Sequence, residues 1–182
     1  MKQIWLLFKE TIEVVVISLF TVYVIRTFLV QPFLVSGASM EPNFQNGNYL
    51  LIDELSYRFR EPKRGEVVVF RYPGDESVFY IKRIVGLPGE RVVVSGGEVK
   101  IFNTVNPQGF VIQESYIPDN VKTLGRVDTE LKPEEFFVLG DNRYYSFDSR
   151  SWGSVARDEI IGFARLRLLP IANAEAFEAP AY

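Results

Sequence analysis

An apolar run near the start dominates the hydropathy pattern. From Ile12 to Val30 the chain reads IEVVVISLFTVYVIRTFLV. As a helix these 19 residues would reach roughly 28 Å, close to the hydrocarbon thickness of a bilayer. The charges inside the run, Glu13 and Arg26, stand near its ends, where side chains can snorkel. After residue 31 helical periodicity fades. Short runs rich in Val, Ile, Phe and Tyr are broken by Gly, Pro, Asn and Asp, the pattern of antiparallel β structure. Strands are predicted over GEVVVF (65–70) and VFYIKRIVG (78–86). RVVVSGGEVKIF (91–102) reads as a hairpin turning at Gly96-Gly97. EFFVLGD (135–141) reads as a strand ending in a turn, and IIGFARLRLL (160–169) as a last strand. The polar stretch from about 103 to 133 is expected to leave the main sheet as a small second subdomain. The tail ANAEAFEAPAY is expected to be loosely held.

The predicted division is therefore a short N-terminus (1–11), a membrane anchor (12–30) and a mostly β domain (31–182). Lys2 and Lys9 precede the apolar run, and after Arg26 no Lys or Arg follows until Arg58. That bias puts the N-terminus in the cytoplasm and the body across the membrane. Two other readings of the run stay open. Ser36-Gly37-Ala38 is a small-x-small pattern that suits a cleaved signal peptide, although the run is longer than the apolar part of such a peptide. A buried helix of a soluble protein is the third.

Composition narrows the chemistry. The chain has 182 residues, 47% of them hydrophobic, which is enough for a real core. Net charge is −3 and the basic residues are scattered, so no footprint for nucleic acid is present. There is no Cys and no His. This excludes a thiolate or imidazole zinc site, a Cys–His nucleophile and a Ser–His–Asp triad. No loop carries regularly spaced acids for Mg²⁺ or Ca²⁺. A side-chain nucleophile would be Ser, Thr or Lys, with Lys, Asp, Glu or Tyr as base.

Three stretches bring candidates. SGASMEP (36–42) offers Ser39 in a turn-prone segment just after the apolar run. Lys82 shares its strand face with Tyr80 and Ile84; an ammonium kept from water there has a lowered pKa, and a neutral amine can act as a base for a serine hydroxyl. The plainer reading is a lysine at a sheet edge with its charge in water. GDNRYYSFDSRSWG (140–153) crowds Ser146, Asp148 and Arg150 into a loop that could orient a lysine, or that is simply solvated. Trp152 reads as a packing residue.

Four stretches in order, SGASMEP, RGEVVVF, YIKRIVGLPGE and GDNRYYSFDSRSWG, resemble the bacterial type I signal peptidases, Ser–Lys proteases that remove signal peptides from exported proteins. The resemblance runs from the apolar span to about Val155. It implies two antiparallel β domains resting an apolar surface on the membrane. It implies Ser39 as nucleophile, Lys82 as general base, Ser146 as a hydrogen-bond partner of the lysine, and Asp148 with Arg150 as a supporting ion pair. Phe33, Val35, Tyr80 and Ile81 match positions that line the substrate cleft. The implied partners are preprotein signal peptides and the lipid bilayer, close to the export translocon, with no cofactor. The implied location is the bacterial cytoplasmic membrane, crossed once. One position departs from part of the family: where some members carry an oxyanion-hole serine two residues before the nucleophile, this chain has Gly37. A peptidase dedicated to one secretion component, and an inactive homologue that binds preproteins or assists assembly, are the rival functions.

Overall fold

The computed structural model describes residues 2–28 and 30–180, with side chains described for residue 5, residues 7–23 and residues 31–180. Helix α1 runs from Lys2 to Phe28, and its described apolar side chains, Val14 to Phe20 among them, are exposed. Among the described residues no helix is long and apolar enough to cross a membrane. The end of the predicted span, 24–30, lies outside the residues whose side chains are described.

Strands β1 (Val30–Leu34) and β2 (Tyr49–Asp53) follow, then β3 (Val67–Tyr72), β4 (Asp75–Gly86), β5 (Arg91–Ser95) and β6 (Glu98–Phe102). Next come β7 (Phe110–Val111), β8 (Val127–Glu130), β9 (Glu135–Leu139), a single helical turn α2 (Ser149–Trp152), β10 (Val155–Ala156), β11 (Ile160–Leu169) and β12 (Glu175–Ala176). They form two antiparallel sheets. The larger has eight strands in the order β1-β2-β11-β3-β4-β9-β10, with β12 added on β11; the smaller has four, β7-β6-β5-β8. Every pairing in them is antiparallel, as the turn-punctuated pattern requires.

Alternation along the strands builds the core. On β4, Ile84 faces Val68, Phe136 and Val138, with Tyr80 packed against the same cluster. Val85, Phe137 and Leu139 of the large sheet meet Val92, Val94, Val99 and Ile101 of the small one. A third cluster, with Met40, Phe44, Leu50, Val67 and Val69, lies under the segment that joins β1 to β2. Sealing these side chains from water is the main stabilising term.

The predicted strands and the Gly96-Gly97 turn, both residues with positive φ, are present. Three expectations change. The small sheet begins at Arg91, because the 91–102 hairpin pairs with β7 and β8 and not with the main sheet, so the 103–133 stretch supplies only two of its strands. Strands β1 and β2 were not anticipated; β1 continues the apolar run, and Pro32 is tolerated because β1 is an edge strand. The tail is not loose throughout: β12 pairs with β11, and Phe177 lies 4.5 Å from Phe44, ring to ring.

Candidate active site

The β1–β2 connection, 35–48, is closed at its base by Val35 N–H donating to Asn48 O and Gly47 N–H donating to Val35 O. Met40 is driven fully into the core, so the residue before it is held at the surface of that core. This places Ser39 opposite β4. Lys82 Nζ lies 2.8 Å from Ser39 Oγ and donates to the Ile81 carbonyl at 2.9 Å. Lys82 is only 3% exposed. Burial pushes its amine down from 10.5 to about 8, although Asp148 and Asp141 pull the other way. The Tyr80 ring covers Nζ at 5.3 Å. The alternative of a solvated edge lysine is thereby removed.

The 140–153 loop carries three supports. Asp148 is fully buried, caps α2, accepts from Gly140 N–H at 3.0 Å and takes Arg150 in a two-point pair with both contacts at 2.8 Å. Asn142 holds the Ser39 segment by two bonds, from its N–H to the Ser39 carbonyl and from Nδ2 to the Ala38 carbonyl. Asp141 takes a buried two-point pair from Arg83, and Arg143 joins the Gly140 carbonyl to Glu114 and Thr123. Gly140 must lack a side chain, since a Cβ there would strike Ser146 Oγ and the Ser39 carbonyl.

Ser146 differs from the expectation. Its hydroxyl is buried beside this point but has no hydrogen-bond partner among the described residues, and Lys82 spends its bonds on Ser39 and Ile81. A buried hydroxyl without a partner is costly.

Ser39 and Lys82 line an open cleft of about 350 Å³. Phe33, Val35, Tyr80 and Ile81 all line it. Leu34, Phe79, Tyr145 and Phe147 line it too and were missed by the sequence reading; the last two stand in the motif loop, and only their aromatic character marked them. Gly37 N–H is committed to Asn46 Oδ1 at 3.0 Å. Among the described residues no acidic cluster is placed to hold a metal ion.

A serine hydroxyl against a buried amine of lowered pKa, in the lining of a largely apolar cleft in a β scaffold, is the arrangement of a serine–lysine hydrolase. Residues 8–169 match the family described as signal peptidase, peptidase S26, and the chain belongs to that family. A probable signal peptidase I-2 of Synechocystis is 39% identical over 81% of this chain and 66% of its own length. A signal peptidase I of Leptolyngbya laminosa is 35% identical over 89% of this chain and 80% of its own. One from Bacillus licheniformis is 32% identical over 88% of each. A solved signal peptidase I of Enterococcus faecalis is similar over 57% of this chain and 97% of that one, at 26% identity and a TM-score of 0.47.

Proposed function

We propose that this chain is a membrane-anchored serine endopeptidase that removes N-terminal signal peptides from exported preproteins, with Ser39 as nucleophile and Lys82 as general base. The observation that carries the reading is the 2.8 Å contact between Ser39 Oγ and a buried Lys82 Nζ. Neutral Lys82 takes the hydroxyl proton as Ser39 Oγ attacks the carbonyl after the last signal-peptide residue. The resulting ammonium returns that proton to the leaving amine. Lys82 then activates water, which releases the acyl group. Ser39 N–H serves as a donor for the oxyanion; Gly37 N–H, held by Asn46, is not available for it.

The substrate runs extended along the cleft. Strand β4 pairs with β9 only from Arg83 onward, so its edge at Phe79–Lys82 has no neighbour in the sheet order on that side. An open edge of this kind accepts a peptide strand, and alternate side chains then enter the wall. Phe33, Val35, Tyr80 and Ile81 make that wall bulky and leave shallow apolar space. Asp148 and Arg150 act as support behind it.

The exposed apolar surface of α1, and Lys2 and Lys9 ahead of the apolar run, support a single span over 12–30, with 1–11 cytoplasmic and 31–182 outside. That topology sets Ser39 beside the bilayer and near the export translocon. Retention of both Ser39 and Lys82 disfavours an inactive homologue. The test is cleavage of a generic preprotein by the purified chain, with Ser39→Ala alongside and an acyl-enzyme sought by mass spectrometry. N-terminal sequencing of membrane-purified protein checks the anchor; a chain starting near Met1 is expected, and one starting only at Ser39 would overturn it.

A further inference from the structure

The tail after β11 reads Pro170-Ile-Ala-Asn-Ala-Glu-Ala-Phe177. It contains two overlapping small-x-small triplets, 172–174 and 174–176, which share Ala174. A shallow apolar cleft walled by bulky side chains admits small residues at alternate positions of an extended chain, and each triplet has that form. The exposed triplet Ser36–Ala38 lies in the lining of the Ser39 cleft itself, and two others are locked in the folded domain. Ser154–Ala156 carries the fully buried Val155, and Gly162–Ala164 carries the buried Phe163. The tail differs: residues 171–176 are all exposed, and Ile171 is 79% exposed.

Few bonds hold this segment. Strand β12 pairs with Leu166 and Arg167 only. Arg167 donates to the Asn173 carbonyl at 2.7 Å and pairs with Glu175 at 2.6 Å. Phe177 N–H donates to the Arg165 carbonyl at 2.9 Å, and the Phe177 ring rests on Phe44. Phe177 alone packs against the core, with Arg167 over its ring, and contacts this few open by local unfolding more readily than the core does. Once open, the backbone from Ala172 to Phe177 is free to extend.

We infer that the tail is a substrate of the peptidase itself, cut between copies of the chain after Ala174 or Ala176; this rests on the peptidase reading above. The tail and the Ser39 cleft have no lining residue in common, so the docked tail does not occupy its own cleft. Ser39 Oγ of one copy forms an ester with the Ala174 (or Ala176) carbonyl of another. The C–N bond to Glu175 (or Phe177) breaks, and that nitrogen takes the proton carried by Lys82. Water then cleaves the ester and restores the Ser39 hydroxyl, so one water is consumed per cut. Cleavage removes residues beyond the cut and with them Phe177, part of the wall of a groove of about 840 Å³ that Asn43 and Phe44 also line.

The test mixes isotope-labelled Ser39→Ala full chain with catalytic amounts of the active full chain in detergent, with a preprotein as internal control, and reads intact masses. Loss of residues 175–182 or 177–182 from the labelled chain is expected. Ala174→Phe, which occupies a small-residue position in both triplets, should cut that loss at least tenfold while preprotein turnover is unchanged. Phe177→Ala, which unpins the tail and leaves both triplets intact, should raise it severalfold. An intact labelled tail in a mixture that processes the preprotein overturns the inference and leaves the peptidase reading standing. Cutting that persists in Ala174→Phe also overturns it. If the preprotein too stays whole, both fall together.

Discussion

Asn142 clamps the backbone on either side of the Ala38–Ser39 bond: its N–H meets the Ser39 carbonyl at 3.0 Å and its Nδ2 meets the Ala38 carbonyl at 3.0 Å. The serine's backbone is therefore aimed by a residue more than a hundred positions away. Asn142→Ala removes the side-chain half of the clamp. A drop in kcat of about 10–100-fold is expected, with KM little changed, because misplacement of a reacting group by about 1 Å can cost that much. Stability should fall by only about 1 kcal/mol, one exposed hydrogen bond. An unchanged kcat would show that the backbone bond alone suffices.

Ser39→Ala and Lys82→Met should each abolish preprotein cleavage while the domain stays folded. Removing either member of a coupled pair costs about as much as removing both. Steady turnover by a purified single mutant, with thermal unfolding like that of the parent, would refute the pairing.

The lysine sets the pH dependence. With Lys82 at about 8, the ascending limb of kcat/KM should lie near that value and not near 10.5. Stability should carry the same signature. Between pH 8 and 10.5 the unfolded chain holds a lysine proton that the folded chain has lost, so stability rises with pH across that window. Below pH 8 the full penalty for burying the charge applies. Lys82→Met lifts it, and should be more stable than the parent there by up to about 3 kcal/mol, since a tenfold change in proton affinity is worth about 1.36 kcal/mol. Equal stability of the two proteins from pH 6 to 10 would contradict a buried, depressed lysine.

Ser146 offers a separation of stability from rate. Its hydroxyl is buried and has no partner among the described residues, so Ser146→Ala should leave stability unchanged or slightly raised. Cleavage should nonetheless slow, by less than the loss of Lys82, if the hydroxyl steadies the amine during the reaction. Chemical denaturation and kcat measured on the same preparation check both halves. A destabilised but fully active variant would make Ser146 a packing residue.

A preprotein series varied only at the residue before the cut tests the cleft wall. Ala, Gly and Ser should be processed; Phe, Leu and Lys should not, if the bulky Phe33, Val35, Tyr80 and Ile81 that line the cleft select by clash. Phe cleaved at the same bond as fast as Ala would remove the steric basis of selection.

Much of the fold is legible in the chain itself. Strands β3, β4, β9 and β11 announce themselves by runs of Val, Ile and Phe, and Gly96-Gly97 marks its hairpin by the need for positive φ at both positions. Period-2 alternation also puts Lys82 among Tyr80 and Ile84. What stays hidden depends on distant partners. Nothing local in RVVVSGGEVKIF says that its neighbour is β8 and not β3. Val30 closes the apolar run and Gln31-Pro32 follow it without a strand pattern, and only pairing with Tyr49–Asp53 makes Val30–Leu34 a strand. Asn142 reads as a turn former, and its reach to Ala38 across a separation of 104 positions is one that no spacing reveals. Resemblance places Ser146 at a bond that the resting geometry does not make.

Adjacent residues on β4 carry opposite electrostatic assignments. Lys82 is kept without a carboxylate in hydrogen-bond contact, whereas Arg83 is given Asp141 by two bonds of 2.8 and 2.6 Å and donates to the Gly65 carbonyl besides. A strand that slipped by one residue would turn every side chain to the other face. Slipped one way, the amine would meet Asp141 and stay charged, with Ile81 left opposite Ser39; slipped the other way, the guanidinium, never a base, would face Ser39. The Arg83–Asp141 pair thus works as a phase key for the strand, since only one alignment of β4 satisfies it, and that alignment delivers a neutralisable nitrogen to the serine.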